Sequence, residues 1–69
     1  MQSSELFQGD LVKLSNGWLA ELIEDPRGKM CSARVFGLDT EVGSVYISDI
    51  REVRLDDYQM GYYWEEVYE

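Results

Sequence analysis

Between residues 10 and 55 the chain alternates short apolar runs with turn residues at near-regular intervals. That pattern predicts an antiparallel, all-β meander. Runs at residues 10–15, 18–23, 30–36, 43–47 and 51–55 read as five strands. Asn16-Gly17 separates the first two, and Asn-Gly is the strongest two-residue hairpin signal because both central positions of a type I′ turn need φ > 0. On that reading Ser15 and Trp18 flank the turn. Asp25-Pro26-Arg27-Gly28 reads as the second turn and Gly37-Leu38-Asp39-Thr40 as the third. Ser48-Asp49-Ile50 is too short for a strand.

Alternation assigns the faces. Val12 and Leu14, Ala20 and Leu22, Ala33 and Val35, Val45 and Ile47, and Val53 and Leu55 each share a face of their strand, with Ile50 added. Lys13, Glu21, Ser32, Arg34, Glu52 and Arg54 point the other way. Leu19, Ile23, Met30, Phe36 and Tyr46 also fall on that second face, so it is more apolar than a solvated face requires. Two readings stay open. Either Leu6-Phe7 or the C-terminal segment folds over these side chains, or they form a patch for a partner or a second copy of the chain.

The last 14 residues differ in composition. Residues 1–55 hold nine acids and six bases, a net -3. Residues 56–69 hold Asp56, Asp57, Glu65, Glu66 and Glu69 with no base, and Tyr58, Tyr62, Tyr63, Trp64 and Tyr68, five of the nine aromatics. The expected organisation is a β body over 1–55 and an acidic, aromatic extension over 56–69. Asp57 could cap a helix that places Met60, Trp64 and Val67 at i, i+4 and i+7. Residues 62–68 could equally be extended, since Tyr and Trp favour strands.

Residue counts narrow the chemistry. The 69 residues include no His and one Cys, Cys31. A Cys/His zinc site, an internal disulfide and the imidazole-dependent nucleophile pairs are therefore not encoded. No Asp-x-Asp-x-Asp-Gly spacing and no phosphate-cradling glycine motif occurs. No metal or cofactor site and no catalytic residue is expected. Cys31 reads as a small buried hydrophobe. No apolar run approaches the ~20 residues of a membrane span, which leads to the expectation of a cytoplasmic protein without a membrane partner. Six bases against fourteen acids (net -8) argue against binding to nucleic acid.

Gly9-Asp10-Leu11-Val12 resembles the opening strand of small bacterial and phage SH3-like barrels, which begin Gly-Asp-x-Val. Residues 43–53 resemble the end of that fold, where a strand leads through one 3₁₀ turn into a last strand that pairs with the first. Asn16-Gly17-Trp18, Lys29, residues 34–37 and residues 41–50 are similar to small proteins of phages and cyanobacteria. The resemblance covers residues 8–55 and implies a five-stranded SH3-like barrel. It suggests Asp49 as the cap of the 3₁₀ turn, with Glu52 three residues on. The chain departs from the nucleic-acid-binding barrels, which are basic, and from the methyl-ligand barrels, whose aromatics cluster in loops. Its first loop is too short for a proline-peptide groove.

The functional expectation is a non-enzymatic protein-binding module or regulator. The resemblance implies that it is phage-encoded and acts in a host cytoplasm on a host or viral protein. The candidate partner-binding residues are Trp18, Leu19, Phe36, Tyr46, Tyr62, Tyr63, Trp64 and Tyr68, chosen because aromatic anchors dominate interfaces. A homodimer through the outer apolar patch is a further expectation. The alternative is a nucleic-acid-related barrel, either a weak binder or an acidic mimic that occupies a basic groove.

Overall fold

A computed structural model describes residues 6–67. Six strands form one antiparallel sheet: β1 (Leu11–Leu14), β2 (Leu19–Leu22), β3 (Met30–Phe36), β4 (Thr40–Tyr46), β5 (Ile50–Asp57) and β6 (Gly61–Glu66). Their order across the sheet is β4-β3-β2-β1-β5-β6. The all-β class and the third strand's limits agree with the sequence reading. The sheet is not closed into a barrel, contrary to the closure expected. The second edge of β5 is occupied by β6, and β4 and β6 are the two outermost strands.

The Gly-Asp-x-Val motif has a local explanation. Gly9 adopts φ +93°, a conformation open to glycine. Asp10 accepts a hydrogen bond from Phe7 N at its Oδ2 (2.9 Å), while Asp10 N donates to Phe7 O (3.1 Å), which closes the turn. Gly9 N donates to Leu22 O (2.7 Å) and ties the turn to β2. Val12 then enters the core with no exposed surface.

The β1–β2 hairpin is not the two-residue turn expected. Leu14 and Trp18, not Ser15 and Trp18, flank it: Leu14 N donates to Trp18 O (2.8 Å) and Gly17 N to Leu14 O (2.9 Å). Gly17 has φ +92° and, among the described residues, no non-glycine has positive φ, so Asn16 does not adopt the I′ geometry. This is the three-residue loop in which only the last position is left-handed. Asn16 instead accepts from Trp18 N through Oδ1 (3.0 Å), as an Asx-turn does. The second turn is also displaced. Arg27 and Met30 exchange both backbone bonds, so its centre is Gly28-Lys29 with Gly28 at φ +59°.

Val12, Leu14, Ala20, Leu22, Cys31, Ala33, Ile50 and Val53 form the core, all from one face of the sheet or its end. Val35, Val45, Ile47 and Leu55 pack half-buried against it, so the predicted inward set is the observed one. Leu6 and Val67 join from outside the strands. The 3₁₀ turn spans Ile47–Asp49, where Asp49 is the last residue rather than the cap; Tyr46 precedes the turn and supplies no side-chain bond. Asp49 contributes its carbonyl, which accepts from Ser15 N (2.8 Å). Between β1 and β5 the register slips by one residue at Arg51, a bulge that adds local twist.

The C-terminal segment is extended. β6 pairs with β5 from Glu52↔Glu66 to Asp57↔Gly61. The helical alternative falls because Asp57 caps no helix: its Oδ1 accepts from Gln59 N (2.9 Å) in the turn, and Gly61 at φ +90° completes the reversal. β5 itself runs through Asp57.

Candidate functional site

Register places the outward-facing side chains. Glu21 pairs with Arg34, and their side chains meet at 2.8 Å. Leu19 pairs with both Phe36 and Lys13. Lys13 pairs with Glu52, and its Nζ lies 3.4 Å from Glu52 Oε1. The same Nζ sits 5.0 Å from the centre of the Trp64 ring. Arg54 pairs with Trp64 and holds its guanidinium 5.3 Å from the Tyr62 ring. These contacts form one band across the outward face: Phe36, Leu19, Lys13, Trp64, Arg54 and Tyr62.

The band joins residues from the β body and from the C-terminal segment. Leu19, Phe36, Tyr62 and Trp64 belong to it. Lys13 and Arg54 were expected on this face but not in contact with the tail aromatics. Each faces a tail aromatic, a contact typically worth about 0.5–1 kcal/mol at exposed sites. The Lys13–Glu52 pair is half-exposed and adds at most about 1 kcal/mol. On the outward face the tail meets the body through two cations, in addition to its backbone ladder with β5. Phe36, Met30 and Tyr46 stay exposed, so of the two readings of this face the tail does not supply the cover for them.

The other candidates lie elsewhere. Trp18 precedes β2 and lays its ring over Gly37, where a Cβ would meet ring carbons at 2.5 Å. Tyr46 pairs with Met30 at the far end of β3 and β4. Tyr63 pairs with Leu55 and so shares the inward face. Tyr68 lies outside the described residues. Leu38, Val42, Tyr58 and Met60 are also exposed and were not singled out.

Cys31 is buried, with 2% of its surface exposed. Its Sγ donates to Glu24 O at 3.1 Å. Burial pushes its pKa up from the ordinary 9.0, and the nearby Glu24 charge pushes the same way. Among the described residues, no group of three or more His, Cys, Asp or Glu is placed to hold a metal ion. No helix among them is long and apolar enough to cross a membrane. No family model, curated protein or solved structure matches the chain.

Proposed function

We propose that the chain is a small, non-enzymatic protein-binding module of SH3-like descent, to which β6 has been added. The strand order β5-β1-β2-β3-β4, with a 3₁₀ turn ahead of β5, supports that descent. Phage origin, action on a host or viral protein, and residence in the host cytoplasm belong to the same reading through the sequence resemblance.

The observation that carries the binding role is the outward band. Phe36 is 38% exposed and Tyr62 52% exposed, yet both stand in a row of side chains borne by strands of one sheet. Aromatics held rigidly at a surface lose little entropy on binding and are common interface anchors. The partner surface is apolar at its centre and basic at its rim, matching the net -8 of the chain.

The test compares Phe36→Ala with Trp64→Ala for melting temperature and for retention of a partner isolated from the native host. Phe36→Ala should leave the chain folded, with melting lowered by no more than the loss of a partly buried ring, and lose the partner. Trp64→Ala should lower melting as well, because its ring contacts Lys13. Retention of the partner by both variants would overturn the reading. A salt series separates the acidic-mimic alternative, for which binding would fall steeply with salt and depend on carboxylates instead.

A further inference from the structure

The free edge of β4 can be read residue by residue. Ile47 N donates to Lys29 O (2.8 Å) just beyond one end of the β3–β4 ladder, and Gly37 N donates to Asp39 O (3.3 Å) just beyond the other. Bonded and non-bonded pairs alternate along an antiparallel ladder. With the register Met30↔Tyr46 to Phe36↔Thr40, the bonded pairs are Cys31–Val45, Ala33–Gly43 and Val35–Glu41. Thr40, Val42, Ser44 and Tyr46 therefore direct their N–H and C=O groups away from β3. Among the described residues no strand pairs with that side.

We propose that this edge pairs with β4 of a second copy of the chain, antiparallel about a two-fold axis at Gly43. The two six-stranded sheets then become one. Val42 bonds with Ser44 of the second copy and Thr40 with Tyr46 of the second copy. Both pairings occur twice by symmetry, giving about eight backbone hydrogen bonds, two from each pair. Every outward-directed backbone group of the strand finds a partner in this register.

Gly43 supports the choice of axis. Its φ is not positive, and a Cβ built on it would meet nothing within 4 Å, so the isolated chain does not require glycine there. A glycine inside a strand weakens it and commonly marks close approach of another backbone. On the axis, Gly43 faces itself at a non-bonded position, where strands come closest. The same register sets Glu41 against Val45 rather than against Glu41.

Charge selects this edge over the other. Thr40–Tyr46 carries one charged residue, Glu41. The β6 end carries Asp56, Asp57, Glu65 and Glu66, and self-pairing there would bring these acids together. Acidic residues on a strand edge oppose such pairing. Two copies joined through β4 keep their acidic ends far apart, and the remaining repulsion is screened within about 8 Å at physiological salt.

Sedimentation equilibrium at about 0.15 M and about 0.5 M NaCl, together with residue-resolved amide exchange, tests the proposal. The expected result is a species of twice the 8.0 kDa chain mass. Its fraction should rise with salt, and the Val42 and Ser44 amides should gain protection as concentration rises. Gly43→Glu sets like charges opposite each other on the axis and should weaken association about tenfold or more. Ser44→Pro removes a free-edge N–H without removing a β3 bond and should act in the same direction. A species of 8.0 kDa at both salts would overturn the proposal. So would folded variants that associate unchanged, or protection that appears at Tyr62 and Trp64 instead. If a variant fails to fold, the exchange pattern of the parent chain decides.

Discussion

β4 and β6 hold equivalent places, each the last strand at one end of the sheet, and both are exposed along nearly their whole length. Their chemistry differs. β6 brings aromatics that meet cations of the body, Trp64 under Lys13 and Tyr62 under Arg54, and it is flanked by acids. β4 offers Thr, Val, Ser and Tyr with a single carboxylate and a glycine at its middle. Both strands are held by a backbone ladder, β6 to β5 and β4 to β3. β6 adds ring–cation contacts and acids that guard its outer edge, whereas β4 adds Val45 against the core and leaves its outer edge open to pairing. The difference assigns separate roles to the two ends: a guarded, aromatic end and an end suited to self-association.

The largest expected effect tests whether the two ends share one core. Leu22 has no exposed surface and lies in β2, at the middle of the strand order. Leu22→Ala should cost about 2–5 kcal/mol. A domain of this size has only about 3–10 kcal/mol to lose, at 0.05–0.15 kcal/mol per residue. In a denaturant titration followed by amide exchange, β4 and β6 should lose protection together and earlier than in the parent chain. Loss at one end alone would mean that the ends are separate cooperative units, and the comparison would then be one between two small domains.

Much of the inward face was legible because it depends on local alternation. Val12, Leu14, Ala20, Leu22, Ala33 and Val53 could be placed by period two alone, and the structure buries all of them. The tail was ambiguous for a physical reason. Met60, Trp64 and Val67 fit a helical stripe, while Tyr62, Trp64 and Glu66 fit a strand face. The pairing with β5 decides between them, and that is not a local property. The same limit hid the contacts of Lys13 and Arg54 with the tail rings, although alternation had placed both on the outward face. Lys13 reaches Trp64 from 51 positions away, across β5, so no spacing rule could join them. Asn16-Gly17 announced a hairpin but not its loop length, since one left-handed glycine serves the three-residue loop as well as the two-residue one.

The next effect in size concerns the joint between the ends. The β1–β2 hairpin connects β4-β3-β2 to β1-β5-β6. Gly17 sits in it at φ +92° with open space where a Cβ would go. The cost of a side chain there is therefore backbone strain alone. Gly17→Val should cost about 1–2 kcal/mol or somewhat more, because left-handed geometry crowds a β-branched residue most. Gly17→Asn should cost less, since Asn tolerates that region. Melting curves of the pair check this. Equal melting for Gly17→Val and the parent chain would show that the joint is not held by this turn.

The smallest effect sharpens the comparison through pH. Cys31 pairs with Val45 and so belongs to the β4 end. Its pKa is raised first by burial and then by the Glu24 charge, which means the fold favours the neutral thiol. The unfolded chain releases that proton near the ordinary value of 9.0, below the folded value. The contribution to stability is thus complete below about pH 9 and is lost as pH rises through the folded pKa. Cys31→Ala removes this dependence. The melting temperature of the parent chain should therefore fall more between pH 8 and pH 10 than that of Cys31→Ala, and the thiol should react slowly with disulfide reagents at pH 8. Identical falls in the two chains, or a thiol that reacts as fast as free cysteine, would show that Cys31 is not held neutral beneath the β3–β4 end. The raised pKa would then have no bearing on how the two ends differ.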